Sequence, residues 1–220
     1  MKKIVKFILD LLFPIECLGC GQADQWLCPS CLNKIKLNFD GRPQAQNKDC
    51  GLSGVWVAAD YRDPLLAGAI KSFKYDFVSD LGGSLAEVLQ RYLAIKINNQ
   101  EISNFDLVVP VPLSRKRHLW RGFNQAEILA SIIGAKFGWP ICTALLFRQA
   151  NNRPQVGLGA AARQKNVKGI FTIKNGAEFK GKKILLIDDV LTSGATLSEC
   201  AKALAAAGAG EIWGLVLAQG

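Results

Sequence analysis

The stretch Lys183-Ile-Leu-Leu-Ile-Asp-Asp-Val-Leu-Thr-Ser-Gly-Ala-Thr196 constrains this chain more than any other. Ile184 to Ile187 is an unbroken apolar run, the pattern of a strand buried on both faces. It ends in two carboxylates, Asp188 and Asp189, followed by a turn of small and hydroxyl residues, Thr192, Ser193, Gly194, Ala195 and Thr196. A helical pattern comes next, with Leu197, Cys200, Ala201 and Leu204 on one face and Gly208 and Gly210 closing it. A parallel strand feeding a helix puts its loop at the carboxyl edge of the sheet, where open α/β folds bind ligands. Gly and hydroxyl residues at a helix start offer N–H groups, hydroxyls and a positive dipole end to a phosphate. Two adjacent carboxylates accept hydrogen bonds from a vicinal diol or help hold hydrated Mg²⁺. A diol beside a phosphate describes a ribose 5-phosphate.

The charge is as localised as this motif. Of the net +9 on 220 residues, all is accounted for by residues 112–168, where ten Lys or Arg face a single acid, Glu127. Such a focused field calls for an anionic partner, either a diphosphate or a nucleic acid. Half of the residues are hydrophobic, which predicts a globular chain. No apolar run approaches the roughly 18–20 residues of a transmembrane helix. Ile4, Phe7, Ile8, Leu11 and Leu12 repeat at helical spacing, interrupted by Lys6 and Asp10, and predict a short amphipathic helix rather than an export signal. The expected location is therefore the cytoplasm.

Cys17-Leu-Gly-Cys20 and Cys28-Pro-Ser-Cys31 stand seven residues apart. Two such pairs predict two knuckles around one tetrahedral, structural Zn²⁺. Four thiolates leave no open position for catalysis, and the ion would hold together a module too small to bury its own core. Asn38 to Lys48 is polar and is taken as the boundary, dividing the chain into a helix and zinc module over 1–48 and an α/β domain over 49–220. Cys50 is a fifth thiol outside the set, and Cys142 and Cys200 sit in apolar patterns.

Further elements are expected as follows. Gly54–Ala59 is a strand, Pro64–Tyr75 and Leu81–Ile97 are helices, and Phe105–Pro112 is a buried strand stopped by its prolines. A cationic loop with Arg115, Lys116, Arg117 and Arg121 leads to a helix capped by Asn124, with Glu127 three residues on. Ile141–Phe147, Gly169–Ile173 and Ile212–Leu217 are strands. The polar, cationic run from Arg148 to Lys168, containing Arg153 and Arg163, is a candidate lid. Lys74-Tyr75 is better read as a surface lysine beside a packed tyrosine than as a contact on the rim of a site, and His118 as a surface residue. Trp120, Phe123 and Trp139 lie within the basic segment.

Ile187-Asp-Asp-Val-Leu-Thr-Ser-Gly-Ala-Thr196 resembles the phosphoribosyl pyrophosphate (PRPP) motif of type I phosphoribosyltransferases. Pro110-Val-Pro112, Arg115, Arg121-Gly-Phe-Asn-Gln125, Arg148, Arg153, Gln155, Arg163 and Asn166, together with the two Cys pairs, resemble the ComF/GntX family of competence-associated phosphoribosyltransferase-like proteins. The resemblance implies an α/β fold, a parallel sheet flanked by helices, with a small N-terminal zinc module. It implies that Asp188 and Asp189 are the catalytic acid pair on the ribose hydroxyls, that Thr192 to Thr196 wrap the 5-phosphate, and that Arg115, Lys116 and Arg117 grip the diphosphate with Mg²⁺. Arg121, Arg148, Arg153 and Arg163 are nucleic-acid or lid candidates. The family context implies a role in DNA uptake, with single-stranded DNA and DNA-processing proteins as partners. Two functions fit these residues. One is a phosphoribosyltransferase whose acceptor is not identified. The other is a non-catalytic binding protein in which the PRPP site is a relic and the basic face holds nucleic acid or a protein partner.

Overall fold

The computed structural model describes residues 14–39, 51–76, 78–149, 169–174 and 179–220. The amphipathic segment 4–12, Cys50, Arg153, Arg163 and nearly all of the expected boundary and lid segments lie outside these residues.

The centre is a four-stranded parallel sheet in the order β1-β6-β5-β2. It comprises β1 (Gly54–Asp60), β2 (Leu107–Pro110), β5 (Ile184–Leu191) and β6 (Ile212–Gln219). Between them in the chain lie α2 (Pro64–Tyr75), α3 (Leu81–Asn98), α4 (Arg115–Arg121), α5 (Gln125–Phe137) and α6 (Ala195–Ala206). The short α1 (Pro29–Leu32) precedes them. The small strands β3 (Leu146–Arg148) and β4 (Phe171–Ile173) pair antiparallel outside the main sheet.

Alternation along β5 sorts its side chains into two layers. Leu185 and Ile187 pack into a core with Phe73 of α2, Leu85 and Leu89 of α3, and Leu129 and Ile133 of α5. Ile184 and Leu186 pack on the other face with Leu197, Cys200 and Leu204 of α6 and with Leu146 and Phe171 of the small strands. The connection from β2 to β5 thus carries α5 on one face, and the connection from β5 to β6 carries α6 on the other. β5 stands at the switch point, the place where such sheets open a crevice.

The expected elements form with shifted ends. β5 does not stop at the carboxylates. It continues through Asp188 to Leu191, paired only with β6, because β2 ends at Pro110 opposite Ile187. Pro112 has no N–H with which to prolong the ladder. The expected cationic loop is in fact a helix, α4, whose Ser114 N-cap accepts a bond from the Arg117 N–H and whose C-cap Gly122 has φ 78°. That left-handed turn is glycine's to make. Asn124 then caps α5 by accepting from the Ala126 N–H at 3.1 Å and donates to the Val111 carbonyl at 3.1 Å. The strand end and the helix start are thereby tied by one side chain.

The cysteine module is packed into the larger core. Leu32 and Ile35 are buried in the cluster shared with α2 and α3, Leu37 bridges to Ala59 of β1, and Arg91 donates to the Leu32 carbonyl at 3.2 Å. Lys96, 2 % exposed, donates to the Phe39 carbonyl at 2.7 Å and to Glu101 at 2.8 Å, beneath the rings of Trp56 and Tyr92.

Asn124→Ala removes a cap and leaves the Val111 carbonyl without its donor. It is expected to lower unfolding stability by about 2 kcal/mol, read as a lower urea midpoint at unchanged slope.

Candidate functional site

The overhang of β5 opens into a cleft of about 700 Å³. Its two carboxylates leave the strand on opposite faces. Asp189, buried, turns toward α2 and pairs with Lys74 at 2.8 Å. Asp188 lies on the α6 face, and its Oδ1 accepts from the Asp189 N–H at 2.8 Å. Burial pushes the Asp188 carboxyl up to about 7 and the Asp189 charge adds to the rise, while the N–H bond, Lys74 and Arg117 pull it down. A proton is therefore shared with solvent near neutrality at this position, and any cation entering the cleft favours its loss.

Beyond the strand, Thr192 and Ser193 are exposed, and Gly194, with φ 71°, starts α6 without a side-chain cap. The first N–H groups of α6 have neither an intrahelical acceptor nor a side-chain acceptor from the cap residue, and Thr192 and Thr196 both line the cleft. This arrangement suits a phosphate. Across the cleft stand two cations, Arg117 of α4 and Arg148 of β3. Burial lowers the basicity of Arg148, and the like charge of Arg117 lowers it further. An anion between them offsets both effects. Arg115 and Lys116 sit on the exposed surface of α4 and do not line the cleft.

The residues from the end of α4 onward build this wall. Arg121 is 7 % exposed and donates to Gln125 Oε1 at 3.0 Å, and Gln125 in turn donates to the Phe73 carbonyl at 3.4 Å. Phe123 packs on Phe73 with centroids 5.5 Å apart. Trp139 is core, stacked on Phe137 and edge-on to Phe105. His118 is exposed on α4, away from the carboxylates. The reading of Lys74-Tyr75 as a surface lysine beside a packed tyrosine is corrected: Lys74 is the counter-ion of Asp189, and Tyr75 lines the cleft half exposed. The sequence signal was their place at the end of a helix whose partner strand lies more than a hundred residues away, which spacing alone does not connect.

The second site is the cysteine group. The sulfurs of Cys17, Cys20, Cys28 and Cys31 all lie within 4.8 Å of one another, and those of Cys20 and Cys28 are 3.6 Å apart. None of the four is in a disulfide. The Cys28 N–H donates to Cys17 Sγ at 3.2 Å and the Cys31 N–H to Cys28 Sγ at 3.4 Å, as expected of knuckles poised to hold thiolates. A Cβ added at Gly19 would come within 2.7 Å of Cys31 Sγ, so the first knuckle needs glycine there. Burial alone would push the Cys17 thiol up, but N–H donors from Cys28, Gly19 and Cys20 outweigh it and hold it at about 6. Cys31 is pushed up to about 12 by its hydrogen bond with the Cys28 sulfur and by burial. Four sulfurs this close ionise together only around a cation, so the donor set fits a metal ion.

A parallel sheet with an acid pair overhanging its switch point, facing an uncapped helix start, defines the class: a phosphoribosyl transferase fold. The family model for the phosphoribosyl transferase domain matches residues 91–219. Competence protein F of Haemophilus influenzae is 30% identical over 209 residues, covering 92% of this chain and 84% of that protein. Competence protein ComFC of Bacillus subtilis is 31% identical, covering 82% and 78%, and the DNA utilization protein YhgH of Escherichia coli K12 is 27% identical, covering 90% and 88%. The chain belongs to the ComF/GntX family of competence-associated proteins with a phosphoribosyl transferase domain. Among the described residues no helix is long and apolar enough to cross a membrane.

The carboxyl of Asp188 titrates near 7 in the folded chain and near 4 in the unfolded one. Between these values the native state holds a proton that the unfolded state has lost, so this group's contribution to stability falls as pH rises from about 4 to about 7. Carbon-detected NMR of the Asp carboxyls is expected to place the Asp188 midpoint lower in Asp189→Asn, which removes a like charge, and higher in Lys74→Met, which removes a cation.

Proposed function

We propose that the cleft binds PRPP with Mg²⁺ and that the protein uses this site in handling single-stranded DNA in the cytoplasm. The carrying observation is the pair Asp188 and Asp189 on the overhang of β5, with the uncapped start of α6 on one side and Arg117 and Arg148 opposite. In this reading the two carboxylates accept hydrogen bonds from the ribose hydroxyls. The N–H groups and hydroxyls from Thr192 to Thr196 take the 5-phosphate. Arg117 and Arg148 face the diphosphate, and Arg115 and Lys116 extend the positive field along α4.

The acid pair and the ligand's diphosphate oxygens are hard donors that suit Mg²⁺. When bound, the ion neutralises charge on a leaving diphosphate. The chain's own part in a transfer reaction is to hold the ribose by its diol and phosphate and to offset the leaving charge with Arg117 and Arg148. Zn²⁺ is the ion that a closed set of four thiolates suits, with a structural role. The names of the relatives, competence and DNA utilization, support a place in DNA uptake and natural transformation.

Calorimetric titration with PRPP and Mg²⁺ tests the ribose reading. Wild type is expected to bind, and Asp188→Asn/Asp189→Asn to lose about a hundredfold or more in affinity. A wild type that does not bind leaves the site a relic of its fold. Metal analysis is expected to find one zinc per chain, lost in Cys20→Ser/Cys28→Ser. Because Leu32 and Ile35 share the main core, that variant should also melt at lower temperature.

A further inference from the structure

One wall of the cleft is not used by the ribose reading. Tyr75, at the end of α2, and Trp120, on α4, are 50 % and 53 % exposed, although both are large aromatics. Their ring centroids are 6.0 Å apart at 56°. The guanidinium of Arg121 lies 5.2 Å from the Tyr75 centroid and 6.0 Å from that of Trp120. All three line the same cleft as Asp188 and Asp189. Arg121 Nε is buried and has no hydrogen-bond partner among the described residues. An arginine braced by Gln125 thus holds two part-exposed rings at the mouth of a phosphate-binding cleft and keeps a donor unspent.

The same short helix carries the cations that a polyanion would need. Lys116 and Arg117 precede Trp120 by four and three residues, which puts them on its face of α4, and Arg115 lies one residue before them. Cations tracking a backbone beside aromatic rings that receive bases are the two requirements for holding a single strand. A free heterocycle would use the rings but would have no need of Arg115 and Lys116 outside the cleft.

We propose that Tyr75, Trp120 and Arg121 form a stacking subsite for one unpaired nucleobase of a single DNA strand, whose phosphates run along α4. The base stacks on Trp120, whose ring is backed by the Arg121 guanidinium. The proposal rests on the ribose reading only for its neighbour: if both hold, strand and PRPP occupy adjoining parts of one cleft.

The test compares a twelve-residue oligothymidylate with an abasic strand of equal length, by fluorescence anisotropy at fixed low salt. Wild type is expected to prefer the oligothymidylate. Trp120→Ala should lose about five- to a hundredfold in affinity for it, with the abasic strand little affected, and Trp120→Phe should retain most of the preference. A wild type that binds the abasic strand equally well, or a Trp120→Ala that weakens both strands alike or neither, overturns the subsite. PRPP titration of the wild type separates the two readings. Base preference without PRPP binding sinks the ribose reading alone, and PRPP binding without base preference sinks this one alone.

Discussion

The structure turns on the problem of placing two carboxylates on successive residues of a buried strand. In a central strand their charges would meet apolar layers on both faces at a cost of several kcal/mol each. Here β5 outruns β2, so both residues stand where one neighbour has already left the sheet. The strand's alternation sends them to opposite faces, which weakens their repulsion. Asp189 is then balanced by Lys74 from α2, and Asp188 faces the arginine side of the cleft. The ion pair is not obviously a source of stability. Its effect is to give Asp189 a cationic partner, while burial leaves Asp188 near its titration point, ready to respond to a ligand's charge.

That requirement orders much of the remaining chain. β2 must end early, and Pro110 and Pro112 end it. The wall beside the overhang must be stiff although it is made of short pieces. Arg121-Gly-Phe-Asn-Gln125 supplies the stiffness, with every member employed. Arg121 bonds Gln125, Gly122 ends α4, Phe123 packs on Phe73, Asn124 ties β2 to α5, and Gln125 bonds the α2 backbone one residue from Lys74. The counter-ion of Asp189 is thus positioned by the same run of residues that shapes the opposite wall.

The legibility of the sequence follows the range of the interactions concerned. Ile184 to Thr196 announces a strand, an acid pair and a helix start because the strand-loop-helix order is local, and the paired Cys spacings announce a metal group for the same reason. The helical form of residues 115–121 was hidden by its charge. Seven residues with a serine cap and a glycine stop form a helix, but Arg, Lys and His in a row look like a loop when periodicity is sought. Lys74 was hidden by distance, since only folding brings α2 beside β5. Three aromatics in the basic segment looked equivalent, and burial separates them: Trp139 and Phe123 pack inward, and Trp120 alone of the three reaches the cleft half exposed.

The same distinction applies to the cysteine group, whose spacing is local but whose packing is not. A knuckle pair closes on itself through sulfur, yet Cys17, Cys28 and Cys31 are buried in the cluster that also holds Phe73, and the next residue along α2 is Lys74. Leu65 of the same helix lies close to Gly19 in the first knuckle. α2 therefore meets the metal-binding group near its start and the acid pair near its end. The twelve residues of α2 thus join the surroundings of the sulfur cluster to the counter-ion of Asp189.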